Sequence, residues 1–176
     1  HMLSGSSISF TGTVATPNVV IGHSGTGLLT MNGASSLNLP SDGTIYLGKT
    51  SSGSGTLTAG ASTIVTGGLI VGDAGLGVFN QNGGTTSATS LIVGNQSAGN
   101  GTASLSGSAS ITLTGAGATV VIGQNGTGVM TMIEGSTLAL PGDGKVIVSA
   151  SAGASGTLEL QGGSSIQGGA VFGIGH

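Results

Sequence analysis

A four-residue phrase recurs along this chain. Val19-Val20-Ile21-Gly22 returns as Ile45-Tyr46-Leu47-Gly48, Leu69-Ile70-Val71-Gly72, Leu91-Ile92-Val93-Gly94, Val120-Val121-Ile122-Gly123, Val146-Ile147-Val148-Ser149 and Ala170-Val171-Phe172-Gly173, at spacings of 22 to 29 residues. A period of that size marks a stacked repeat, because each unit is too small to bury its own apolar side chains and must lean on its neighbours. A longer period lies above it: residues 19 to 48 match residues 120 to 149 at a fixed offset of 101 without a gap. Leu37-Asn38-Leu39-Pro40-Ser41-Asp42-Gly43 becomes Leu138-Ala139-Leu140-Pro141-Gly142-Asp143-Gly144. The opening Leu3-Ser4-Gly5 with Ile8-Ser9-Phe10-Thr11-Gly12 echoes Leu105-Ser106-Gly107 with Ile111-Thr112-Leu113-Thr114-Gly115. His1-Met2 is read as a cloning remnant, and 3-176 as a single repeat array whose supra-repeat covers 19-119 and begins again over 120-176.

Within each unit a second segment follows a Gly, and its side chains alternate with the period of two that a strand imposes. Two residues after that Gly stand Leu29, Leu57, Phe79, Ala103, Met130 and Leu158; four after it stand Met31, Ala59, Gln81, Leu105, Met132 and Leu160. Both sets are expected to point inward. Between them lies a column expected to face water: Thr30, Thr58, Asn80, Ser104, Thr131 and Glu159. A third segment, such as Ser36-Leu37-Asn38-Leu39 or Ser110-Ile111-Thr112-Leu113, alternates again. Three short strands separated by Gly, Asn-Gly and Asp-Gly turns make one coil of a parallel β-helix, each strand pairing with its counterpart in the next coil. Pro40 and Pro141 fall just after the third strand, where a missing backbone donor costs least. The predicted fold is all-β, a β-solenoid of about 25 residues per coil and roughly seven coils.

Composition supports burial and removes several functions. The chain has 38 Gly and only 4% charged residues, against roughly 7% Gly and about 25% charge in ordinary domains. Its mean hydropathy is nevertheless +0.44, so disorder is the weaker reading. With two Lys, no Arg and a net charge of -3, the chain has no electrostatic footprint for nucleic acid or anionic lipid. The absence of Cys removes a disulfide framework and a thiolate metal site. The apolar clusters are far shorter than the ~20 residues of a spanning helix, so no membrane insertion of this segment is expected.

The chain is not expected to be an enzyme, and no cofactor or metal is expected. Its charged side chains are Asp42, Asp73, Asp143, Glu134, Glu159, Lys49 and Lys145. Asp42 and Asp143 are equivalent positions in a Pro-x-Asp-Gly turn, where a short acceptor stabilises turn backbone. Acid and base work needs two carboxyl groups a few ångströms apart, which one acid per coil does not offer. Val71-Gly72-Asp73-Ala74-Gly75 approaches a calcium-binding nonapeptide once only. His23 aligns with Gln124 and is read as a solvated loop residue. The Gly-x-Gly pairs lack the following helix and Lys of a phosphate cradle.

One column departs from plain alternation. The middle residue of the first strand is Val20, Tyr46, Ile70, Ile92, Val121, Ile147 and Val171, apolar every time, where a strand with one buried face should be polar. Stacked at ~4.8 Å per coil, these residues form a hydrophobic ribbon roughly 30 Å long, a candidate self-association face.

The phrase Ile21-Gly22-His23-Ser24-Gly25-Thr26-Gly27-Leu28-Leu29-Thr30-Met31, repeated from Val93-Gly94 to Leu105 and from Ile122-Gly123 to Met132, resembles the VG-x-x-G-x-G-x-L-x-[IV] repeats of type V secretion autotransporter passengers and related large exoproteins of Gram-negative bacteria. The resemblance runs from about Leu3 to Phe172, and Ser149 departs from it by replacing Gly. It implies a right-handed parallel β-helix on the bacterial cell surface or outside the cell, in a parent anchored to the outer membrane, that serves adhesion, autoaggregation or biofilm formation. The expected partners are further copies of the chain or a host or surface ligand. Two alternatives stand beside this reading: a trimeric phage or appendage fibre with the ribbon as its threefold core, and an ice-binding solenoid. Ice binding needs outward Thr pairs in register. Only Thr56 with Thr58 gives the full pattern, while Leu28/Thr30, Val78/Asn80 and Thr157/Glu159 break it.

Overall fold

The computed structural model describes residues 2–10, 16–169 and 171–175. His1, His176, Ala170 and the Thr11 and Gly12 of the opening echo lie outside the described residues. The described chain is all-β, with no helix, and winds as a parallel β-solenoid of about 6 turns at about 26 residues per turn.

The strands succeed one another as β1 (Ser7–Ser9), β2 (Asn18–Ile21), β3 (Thr26–Met31), β4 (Ser36–Asn38), β5 (Thr44–Leu47), β6 (Ser54–Ala59) and β7 (Thr63–Val65). They continue through β8 (Gly68–Val71), β9 (Leu76–Asn82), β10 (Thr85–Ala88), β11 (Ser90–Val93), β12 (Asn100–Ser106), β13 (Ser110–Leu113) and β14 (Thr119–Ile122). The last coils add β15 (Thr127–Met132), β16 (Thr137–Ala139), β17 (Lys145–Val148), β18 (Ser155–Leu160), β19 (Ser165–Gln167) and β20 (Val171–Ile174). Every third strand joins the same sheet. Sheet I runs β2-β5-β8-β11-β14-β17-β20, sheet II runs β3-β6-β9-β12-β15-β18, and sheet III runs β1-β4-β7-β10-β13-β16-β19. Two sheets therefore have seven rungs and one has six, so the expected seven coils reduce to about six complete turns with a partial rung at the start.

The inward columns are those that alternation predicts. Leu57, Phe79, Ala103 and Met130 are fully buried, as are Met31, Leu105 and Met132 in the neighbouring column. Leu29 and Leu158, on the two end strands of sheet II, are half-buried, and Leu160, on the last of them, is exposed. On sheet III, Ile8, Leu37, Ile64, Thr86, Ile111 and Leu138 form one column. Ile8 and Ile111, paired in the sequence echo, stand four coils apart in it. Val20 and Val121 are likewise separated by four rungs of sheet I, so the offset of 101 is four coils. Met2 is buried and bridges to Met31, extending an inner column of sheet II by one residue.

Gln81 and Thr86 carry polar side chains into two otherwise apolar inward columns, and each is satisfied there. Gln81 occupies an inward place on sheet II, and its Oε1 accepts a 2.9 Å bond from Thr86 Oγ1 on sheet III while its Nε2 donates to Ser110 O. A buried amide without such partners would cost about 1–3 kcal/mol, so its tolerance depends on Thr86 replacing Ile or Leu on the same coil.

The corners explain the glycines of the repeated phrase. Gly22, Gly48, Gly72, Gly94 and Gly123 all have φ between 67° and 76°. A Cβ at Gly72 would lie 2.4 Å from the backbone of Asn100 in the next coil. The corner thus needs both a left-handed backbone and empty space. Ser149 keeps the left-handed conformation, with φ of 60°, and its Oγ accepts from Gly156 N–H at 2.9 Å.

Candidate functional site

Each outward face is a set of columns in which one residue per coil stands above the last. On sheet I the ribbon Val20, Tyr46, Ile70, Ile92, Val121 and Ile147 runs in unbroken register. Its neighbours along each strand, such as Ile45 and Leu47 or Leu91 and Val93, are buried, so the pleat turns the ribbon outward. The seventh expected member is placed differently. Val171 pairs with Lys145, and Gly173 takes the rung beside Ile147. The corner of that last coil is Gly175, with φ of 75° and its N–H donating to Val148 O, not Gly173. A slip of two residues preserves which face each side chain meets, and for that reason the alternation in the sequence could not detect it.

The ribbon is narrow. One column flanks it, made of Asn18, Thr44, Gly68, Ser90, Thr119 and Lys145, and the corner glycines lie on its other side. Six rungs at ~4.8 Å and a column ~7 Å wide give on the order of 170 Å², shorter and smaller than the ribbon expected from seven rungs and below the ~300–600 Å² of a typical largest surface patch. It is also uneven: Val20 is 37% exposed and Val121 only 8%. Tyr46, Ile70, Ile92 and Ile147 are half-buried between the rungs above and below. The Nζ of Lys49 sits 3.8 Å from the centroid of the Tyr46 ring, a cation–π contact at the second rung.

Sheet II carries the polar column Thr30, Thr58, Asn80, Ser104, Thr131 and Glu159 in register, all half-buried except the exposed Glu159. Beside it, Leu28, Thr56, Val78, Thr102, Val129 and Thr157 alternate apolar and hydroxyl rungs. Sheet III holds a column that sequence reasoning passed over: Ser7, Ser36, Thr63, Thr85, Ser110, Thr137 and Ser165, a hydroxyl on every rung. Ser36 Oγ donates to Ser7 Oγ and Thr137 Oγ1 to Ser110 Oγ, both at 3.0 Å. The residue opening each third segment was the available signal.

Four of the five acidic side chains, Asp42, Asp73, Glu134 and Asp143, hold coils together. Asp42 Oδ2 accepts from Thr16 N–H at 3.4 Å, and its equivalent Asp143 Oδ2 from Gly117 N–H at 2.8 Å. The predicted turn role of these two residues is thus exercised on the turn of the preceding coil. Glu134 Oε2 accepts from Gly107 N–H at 3.2 Å in the same manner. Asp73 is buried, and its Oδ1 accepts from Asn95 Nδ2 at 2.7 Å and Gln96 Nε2 at 3.0 Å, both one coil further on. His23 is exposed, and its carbonyl accepts from Thr50 of the next coil. Among the described residues no three of His, Asp and Glu gather as a metal site, and no pocket indents the surface. Searches against protein-family models, curated proteins and solved structures returned no match to this chain.

Proposed function

We propose that this chain is a structural and adhesive stalk segment of a secreted bacterial surface protein, which makes weak side-to-side contact with other copies through sheet I. The observation that carries the reading is the in-register apolar column on an outward face, from Val20 to Ile147. The use of Asp42, Asp73, Asp143 and Glu134 as coil staples supports a structural role for the charged residues. The resemblance to autotransporter passenger repeats supports an extracellular setting and a parent anchored to the outer membrane.

Magnitudes decide what kind of contact this is. Two ribbons of ~170 Å² facing each other gain on the order of 8 kcal/mol gross at ~25 cal/mol per Å², within the ~4–15 kcal/mol that association costs. Free chains therefore stay monomeric at micromolar concentration, whereas many chains fixed on one surface zip to those on another by avidity. Beads coated densely with the chain should aggregate, and beads coated with the Ile70→Asp/Ile147→Asp variant should stay dispersed while its circular dichroism remains that of the parent. Equal aggregation of both, or of neither, overturns the reading. A trimer at micromolar concentration by sedimentation would favour the fibre alternative instead. Ice binding finds its best support in the unbroken hydroxyl column of sheet III, not in sheet II, and an effect on ice growth lost in Thr85→Tyr would favour it.

A further inference from the structure

The outward face of sheet II carries a second period. Its strands are six or seven residues long, where those of sheets I and III are three or four, so this face is the broadest of the three. Down its middle, Leu28, Thr56, Val78, Thr102, Val129 and Thr157 change character at every rung. The flanking columns sharpen the change. Ser54 and Thr58 stand beside Thr56, and Asn100 and Ser104 beside Thr102, so each of these rungs shows three hydrogen-bonding side chains. Val78 instead has Leu76 beside it, 44% exposed, and Val129 is the apolar residue of its own rung. Apolar and hydroxyl bands thus alternate, like bands lying about 9.6 Å apart, two rungs of ~4.8 Å. Thr56, Val78, Thr102 and Val129 all lie on interior rungs, with a strand of sheet II on either side.

The hydroxyls of these bands are uncommitted. Among the described residues the side chains of Ser54, Thr56, Thr58, Thr102 and Ser104 bond to no other group of the chain, whereas on sheet III Ser36 bonds to Ser7 and Thr137 to Ser110. The face is also neutral: Glu159, on the last strand, is its one charge among the described residues. A charged partner finds nothing to pair with here. Apolar bands separated by hydroxyl rungs do not form the contiguous, water-excluding centre of a protein–protein interface either. We infer that sheet II binds a neutral, extended β-1,4-linked polysaccharide laid along the solenoid axis, one sugar to a rung.

Period and chemistry both match. Successive sugars of such a polymer are turned over by half a turn, so each of its edges shows a vicinal diol and a hydroxymethyl group in alternation. One sugar advances by close to the spacing of a rung, and the disaccharide repeat by close to the spacing of like bands. Diols placed over the rungs of Thr56 and Thr102 meet donors and acceptors on both sides. The hydroxymethyl carbons and adjoining ring C–H groups then lie against Val78 and Val129. A shift of one rung sets diols on valine and leaves their hydrogen bonds unmade, which fixes the register. This site goes beyond the side-to-side contact of sheet I and does not rest on it.

Hydroxyl bonds on an open face form in competition with water, so binding is weak for a short oligosaccharide and strengthens on a polymer that offers many overlapping sites. Depletion of the chain from solution by amorphous cellulose measures it, with an insoluble β-1,3-linked glucan, built of the same sugar at a different repeat, as the control. The chain should partition onto cellulose, be released by cellohexaose, and stay in solution over the β-1,3-linked glucan. Two variants test the bands with β-branched residues that keep the strands: Thr56→Val/Thr102→Val makes the middle of the face apolar, and Val78→Thr/Val129→Thr makes it hydroxyl throughout. With circular dichroism unchanged, each should lower the partition by about tenfold or more. No depletion by cellulose, equal depletion by the β-1,3-linked glucan, or parental partition in either variant overturns the inference. The Ile70→Asp/Ile147→Asp variant of sheet I should bind cellulose as the parent does, and loss of binding there overturns the assignment to sheet II.

Discussion

Gln81 shows how far a single residue depends on its coil. It interrupts an otherwise apolar inward column, and Thr86, also an exception in its own column, supplies the bond that makes it tolerable. Thr86→Val should therefore cost about 1–3 kcal/mol, the penalty of a buried acceptor without a donor. Gln81→Leu combined with Thr86→Val should recover most of that loss in urea unfolding, because two apolar groups then face each other. If the double variant is as unstable as the single, the pair is not the reason that Gln81 is accepted. Gln81 was legible in the sequence as an inward residue, but its partner was not, since nothing in the spacing of five residues distinguishes Thr86 from Thr85.

The corner is the element at which one strand's conformation becomes the next coil's clearance. Gly72 combines φ of 73° with backbone of Asn100 and Gly101 where a Cβ would go. Gly142 has nothing within 4 Å of a Cβ and no positive φ. Gly72→Ala should destabilise by about 2–5 kcal/mol, from a left-handed alanine and displaced backbone together. Gly142→Ala should be neutral or stabilise by up to ~1 kcal/mol through the unfolded chain. Thermal melts of the two variants check this directly, and similar shifts in both would mean that the corners are not set by close approach. The repeated phrase revealed where glycine recurs. It did not reveal that the contact is with the sheet II strand one coil on.

At the scale of the whole molecule, stability is a sum over neighbouring coils. Excising residues 69 to 90 joins Gly68 to Leu91 and removes one coil at its register point, since Gly68 pairs with Ser90. That shortened chain should remain strand-rich by circular dichroism and unfold cooperatively at a lower temperature. Removing only residues 69 to 79 breaks the phase of all three sheets and should leave no cooperative transition. A half-coil deletion that melts like the full-coil deletion would mean that the stacking does not propagate. The sedimentation of the chain belongs to the same scale, because a ribbon on the order of 170 Å² is too small to hold free copies together, and the proposed side-to-side contact acts only when many are aligned.

Two periodicities in the sequence, one of about a coil and one of two residues, were enough to determine the solenoid, its inside and its outside. Both are properties of stacked strands that any window of the chain repeats, so Leu57, Phe79 and Ile70 could be assigned their faces from position alone. Tertiary structure decided what depends on the variable lengths between strands. Those lengths shift the last coil by two residues and move Val171 out of the ribbon. They also determine which backbone N–H each of Asp42, Asp143 and Glu134 reaches across a gap of 26 or 27 residues. A turn can change length without disturbing alternation. Only the packed coil therefore settles which residue finally stands above which.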